Sequence, residues 1–146
     1  MSLKAGAAVA AMLSLVAVLA NAGERNPLEP RVPAPELATA QALRNPIPKT
    51  PENIAKGQVL YVTKGQCIHC HGEGGKGDGL AGKVLNPSPR DFTSPAFHAH
   101  RTEGELFWVI KHGSKGTGMM PMIGSAITED EAWHVILYER SFEGRK

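Results

Sequence analysis

Apolar side chains recur at helical spacing in three stretches of the chain. Ile54, Gly57, Leu60 and Tyr61 form one stripe at positions i, i+3, i+6 and i+7. Thr50-Pro51-Glu52 opens that stretch with a cap residue, a proline at the first helical position and an acid in the first turn, and Gly65 closes it. Leu106, Val109 and Ile110 share a face behind Thr102-Glu103-Gly104-Glu105, and Gly113 ends the run. Trp133, Ile136, Leu137 and Arg140 share a side behind Thr128-Glu129-Asp130-Glu131, whose acids favour the positive end of a helix. No run alternates convincingly with period two and no internal repeat is visible. The pattern predicts an all-α domain.

The remaining segments read differently. Pro27, Pro30, Pro33, Pro35, Pro46, Pro48 and Pro51 stud residues 23–51, each removing a backbone donor and restraining its predecessor. A short helical turn over Glu36 to Leu43 fits there; otherwise this is a semi-extended arm or linker without a recognisable site. Gly72 to Gly82 is too glycine-rich for a regular element. At the N-terminus, Lys4, the uncharged run Ala5 to Ala20 and Ala20-Asn21-Ala22 read as a signal peptide over residues 1–22, cut after Ala22. The alternative is an uncleaved membrane anchor, but the run is Ala-rich and shorter than the roughly 20 residues that span a bilayer. The expected organisation is therefore a signal peptide (1–22), a proline-rich arm (23–50) and one domain (51–146).

Composition narrows the function. A formal charge of +2 on 146 residues excludes a nucleic-acid binder that relies on bulk charge. Aromatics are only 5% and there are two cysteines, so neither large side chains nor a disulfide framework fills and staples the core. Export makes the two thiols conspicuous, because an oxidising compartment consumes a close pair.

Both cysteines lie in Cys67-Ile68-His69-Cys70-His71, the C-x-x-C-H pattern of covalent haem attachment. Two thiols three positions apart can each add to a vinyl group on one porphyrin edge, and the adjacent His71 can offer an imidazole nitrogen to the iron. A thioredoxin-like dithiol needs a βαβ context that is missing. A zinc site using Cys67, Cys70 and two of His71, His98 and His100 matches no common spacing. A plain structural disulfide leaves His71 a coincidence.

A sixth iron ligand is expected downstream, on a loop covering the other haem face. Met119, Met120 and Met122 cluster between Gly118 and Gly124, and a thioether is a soft ligand that raises the reduction potential. Met120 precedes Pro121, which restricts its backbone, so Met120 is the first choice, Met122 the second and Met119 the third. A histidine (His98, His100 or His112) is the outside option, and flexible core filling is the other use of clustered methionines.

Over about Thr50 to Phe142 the chain resembles a class I c-type cytochrome. The residues that carry the resemblance are His71-Gly72, Gly75, Gly77-Asp78-Gly79, Pro87, Pro89-Arg90-Asp91-Phe92, the Glu105 to Gly113 stretch, Met120-Pro121, and Trp133 with Tyr138. The resemblance implies a small all-α domain wrapped around one covalent haem c. In it the N-terminal helix crosses the C-terminal one, with Gly57 and Tyr61 against Val135 and Tyr138. It also implies that a proline carbonyl, from Pro87 or Pro89, accepts the second N–H of His71. Cys67 follows Tyr61 at a longer interval than is common, so Thr63 to Gly65 is expected to bulge. Ile68, Leu80, Leu85, Phe92, Phe97, Phe107, Trp108 and Ile123 are the candidate haem walls, with Trp108 alternatively donating to a propionate.

The expected function is a periplasmic or extracytoplasmic electron carrier of a respiratory chain rather than an enzyme. It would pass single electrons between a membrane quinol-oxidising complex and a terminal oxidase or reductase. It would touch no nucleic acid, and would be held at the membrane only by an uncleaved leader. Lys64, Lys76, Lys83, Arg90, Lys111 and Lys115 either steer acidic partners or are simply solvated. Two rivals are a peroxidase or gas sensor with a labile sixth ligand, and a subunit of a larger oxidoreductase complex that docks through the arm.

Overall fold

The computed structural model describes residue 26 and residues 28–146; the expected signal peptide, residues 1–22, lies outside the described residues. The helices are α1 (Ala34–Ala42), α2 (Pro51–Val62), α3 (Ile68–His71), α4 (Pro95–His100), α5 (Glu103–His112) and α6 (Glu129–Arg140), with a 3-10 turn at Gly82–Val84. Among the described residues there is no strand, only an isolated bridge between Ile123 and Ile127. None of their helices is long and apolar enough to cross a membrane.

The three expected helices form where their opening signals stand. The Thr50 hydroxyl accepts from the Asn53 N–H at 3.3 Å. Thr102 with Glu105 and Thr128 with Glu131 each close a complete capping box, satisfying two otherwise orphaned N–H groups. The chain leaves α2 through a turn at Thr63 and Lys64 and a bend at Gly65, whose N–H donates to the Leu60 carbonyl at 2.8 Å. The expected bulge is therefore a hydrogen-bonded turn. Two short helices were not expected. For α4 the signal was present, since the Ser94 hydroxyl caps the Phe97 N–H and Pro95 starts the helix.

Helices α2 and α6 cross closely. A Cβ on Gly57 would overlap the His134 carbonyl oxygen and sit 3.1 Å from the Tyr138 Cβ, so only glycine admits this approach. Around the crossing, Tyr61 meets Tyr138 edge-on at 5.3 Å, and Phe142 packs against both rings at 5.7 and 4.7 Å. Phe107 of α5 stacks on Trp133 of α6 at 4.1 Å. Helix α6 departs from the one-sided pattern read from sequence, because Ala132 to Glu139 are all buried. It is enclosed by α2, α5 and the arm, from which Asn45 donates to the Trp133 carbonyl.

The arm is part of this packing. Helix α1 lies on α5, where a Cβ at Gly104 would overlap the Ala40 carbonyl oxygen. Val32 and Ala40 are buried, and the Trp108 indole donates to Glu36 at 2.8 Å. The propionate role considered for Trp108 is thereby corrected: its N–H is already bonded to α1.

Candidate functional site

Helices α3 to α6, the Pro87 to Phe92 loop and the arm enclose a cavity of about 480 Å3. Cys70 and His71 form one part of its wall, and Leu85, Phe92, Phe97, Leu106, Val109 and Ile110 supply apolar surface. Four hydrogen bonds hold the cysteine motif in place. Gly77 N–H reaches His71 O at 2.8 Å, Gly79 reaches Cys70 O at 3.2 Å, and Ala81 reaches His69 O at 2.9 Å, while the Tyr61 hydroxyl donates to Gly72 O at 2.8 Å. The glycine-rich stretch, although irregular, is thus the clamp on α3.

His71 is oriented from two sides. Its Nδ1 donates to the Arg90 carbonyl at 3.2 Å, and its ring stacks on Phe92 at 4.4 Å. A carbonyl only accepts, so the proton sits on Nδ1 and Nε2 keeps its lone pair. The carbonyl belongs to Arg90 and not to Pro87 or Pro89, which corrects the expectation for this bond. Burial pushes the imidazole down to about 4, keeping it neutral at physiological pH. Cys67 is partly buried against the core, and burial pushes its thiol up to about 12. Both cysteines are free thiols.

The methionines separate clearly. Met119 lines the cavity and packs against the core, its carbonyl held by the Ser114 N–H at 2.9 Å and its N–H donating to Thr117 at 3.1 Å. Met120 is 68% exposed and lines no part of the cavity. Met122 packs against the core with its N–H on the Ile110 carbonyl. Of the three, only Met119 shares the cavity with His71.

Several other expected residues stand elsewhere. Leu85, Phe92 and Phe97 line the cavity, but Leu80 is 83% exposed, Phe107 belongs to the Trp133 stack, and Ile68 and Ile123 flank the core. His98 is buried behind Phe92: its Nε2 donates to the Phe92 carbonyl and its Nδ1 accepts from Arg140 at 2.9 Å. His100 and His112 are exposed. None of the three, the outside option for a distal ligand, lines the cavity. Among the described residues no three His, Cys, Asp or Glu side chains converge to hold a metal ion. Lys64 pairs with Glu131 and Lys111 with Glu129, each at 2.7 Å, so these two cations are partly neutralised.

The charged wall was not visible in the sequence. Arg31, Arg90 and Arg101 all line the cavity, and Arg90, over the Phe97 ring at 5.4 Å, is pushed down to about 10 by burial and then by the charges of Arg31 and Arg101. Arg101 pairs with buried Glu105 at 2.8 Å, but its Nε–H is buried without a partner. Glu139 also lines the cavity, and burial pushes its carboxyl up to about 8.

This fold and site define a c-type cytochrome of class I. The family model described as cytochrome C oxidase, cbb3-type, subunit III matches residues 52–138, and the chain belongs to that family. Among solved structures, it is similar to a chain of the reducing HAO-like protein complex of Kuenenia stuttgartiensis, at 26% identity and a TM-score of 0.59 over 69% of this chain. The match spans about half of that chain, 49%. None of the curated proteins compared matches this chain.

The residues fit a haem. The cavity volume lies within the range of roughly 300–1,000 Å3 usual for cofactor sites. Its wall offers a neutral imidazole with a lone pair, a thioether and apolar faces, and the unpartnered Arg101 N–H suits a group that carries carboxylates.

Proposed function

We propose that this chain carries single electrons through one haem c, bound as thioethers to Cys67 and Cys70 and ligated by His71 and Met119. One observation carries the reading: a single cavity gathers Cys70, His71 and Met119, with the imidazole already oriented by the Arg90 carbonyl. The haem, when bound, supplies reversible one-electron exchange. The Arg90 carbonyl strengthens His71 as a donor by drawing on its Nδ1 proton. Leu85, Phe92 and Phe97 exclude water, and the guanidinium groups of Arg31, Arg90 and Arg101 receive the carboxylates. His71 and Met119 together would hold the iron and leave no place for substrate on it, so transfer rather than catalysis is the role.

The carrier works at the extracytoplasmic face or in the periplasm, reached through the N-terminal leader, and exchanges electrons with a quinol-oxidising complex and a terminal oxidase or reductase. A fixed place in an oxidoreductase complex is the second reading. It is favoured by the family description, an oxidase subunit, and by a neighbour that is itself a protein complex. A peroxidase or gas sensor is less well supported, because His98 and His100 stand off the cavity and supply no distal base.

Two variants test the axial set. Met119→Ala is expected to abolish the ferric methionine-to-iron charge-transfer band while haem stays bound, and Met120→Ala to retain it. The reverse result transfers the ligand role to Met120; loss in neither variant removes methionine ligation from the account.

A further inference from the structure

Glu139 stands near the C-terminal end of α6, on the wall of the cavity that holds His71 and Met119. Its side chain is buried, at 5% exposure for the residue. The two acids of α5 and α6 on this wall contrast sharply. Glu105 has Arg101 at 2.8 Å and the Thr102 N–H at 2.8 Å, so its charge is matched. Glu139 forms no ion pair among the described residues.

The cations around it are engaged elsewhere. Arg140 bonds His98 and the Arg101 carbonyl, and Arg101 is committed to Glu105. Arg31 and Glu29 of the arm, and Arg90 of the loop, face the same cavity. From α2 comes Tyr61, held protonated at neutral pH and pushed further up by the Glu139 charge, and from the turn after it Cys67, whose sulfur carries no proton once it is a thioether. Tyr138 adds a second phenol on α6. A carboxylate so enclosed has only the charge of Arg140, itself bonded elsewhere, to offset its burial, and is sensitive to any charge change in the cavity.

We propose that Glu139 is a redox-linked proton site: when the haem gains one electron from its donor protein, the Glu139 carboxylate takes one proton from solvent. The step balances. Iron is reduced by one unit, an O–H bond forms at the carboxylate, and the cavity returns to its former net charge. Re-oxidation by the acceptor releases the proton. This inference rests on the haem reading above. Burial pushes this carboxyl up to about 8 against the opposing charge of Arg140, so coupling falls in the pH range where an extracytoplasmic carrier operates. Two groups on the same buried wall interact strongly enough to change proton affinity by roughly tenfold.

Spectroelectrochemical titration of the haem-loaded full chain, from about pH 6 to about pH 10, tests it. The reduction potential is expected to fall with rising pH through a window around 8. The total drop for tenfold coupling is about 59 mV for one electron. Glu139→Gln is expected to flatten that window. Because this variant can fail to mature, a redox-triggered infrared difference spectrum of the unaltered protein at about pH 8 is the second readout. A protonated-carboxyl band that grows on reduction supports the site. A pH-independent potential, a slope that survives Glu139→Gln, or no carboxyl band overturns it. A colourless product with no bound haem would instead defeat the underlying reading.

Discussion

His71 shows how much one side chain owes to its supports. The motif supplies an imidazole beside two thiols, but direction comes from the Arg90 carbonyl and the Phe92 ring, 19 and 21 positions downstream. Tyr61 plays the matching part for the motif's other end. Its ring is fully buried at 0% exposure, and its hydroxyl donates to the Gly72 carbonyl. Tyr61→Phe removes that bond and leaves the carbonyl only the Gly75 N–H at 3.3 Å, a loss of about 0.5–1.5 kcal/mol. Guanidinium unfolding is expected to show the lower midpoint with an unchanged slope; an unchanged midpoint would mean that the bond contributes nothing to the fold. The motif itself was legible in sequence, because Cys67, Cys70 and His71 lie within one pentapeptide. Which methionine lines the cavity was less so. Pro121 draws attention to Met120, whereas the bonds that turn the chain inward, from Ser114 and Thr117, act on Met119. No local pattern announces which of two adjacent side chains will face a cavity.

At the level of helices, the sequence was most informative where local chemistry decides. Thr50, Thr102 and Thr128 cap the helices they were expected to open, since a capping hydroxyl needs only its own first turn. It was least informative where packing decides. The short α3 exists because the glycine-rich loop returns to its carbonyls, and α6 is buried all round because the arm joins α2 and α5 against it. The α2–α6 crossing supplies a test with a distinctive sign. In an ordinary helix interior, Gly→Ala stabilises by about 0.5–1 kcal/mol. Here the added Cβ meets the His134 carbonyl, so Gly57→Ala is expected to destabilise by about 1–3 kcal/mol. Thermal unfolding checks this, and a rise in Tm would contradict the close approach.

At the level of the whole molecule, the arm and the site form one unit. The family match begins at residue 52, yet Glu29 and Arg31 line the cavity and α1 is seated on α5. Residues 23–50 read as a linker because prolines suppress regular structure; what the pattern could not reveal is that a proline-rich segment can still be docked by a few contacts such as Trp108 to Glu36. Aromatics are only 5% of the chain, and the core gathers Tyr61, Phe92, Phe97, Phe107, Trp133, Tyr138 and Phe142 beside a space of about 480 Å3 that would accept a flat apolar cofactor. Three arginines on its wall supply the counter-charge for carboxylates. All of this presupposes that the cofactor is joined to the chain. Intact mass spectrometry of the denatured protein, made in an export-competent host with c-type maturation, tests that most directly. The account predicts a mass equal to the polypeptide plus one haem, reverting to bare polypeptide when Cys67 and Cys70 are both replaced by alanine. Bare polypeptide mass from the unaltered chain would contradict it.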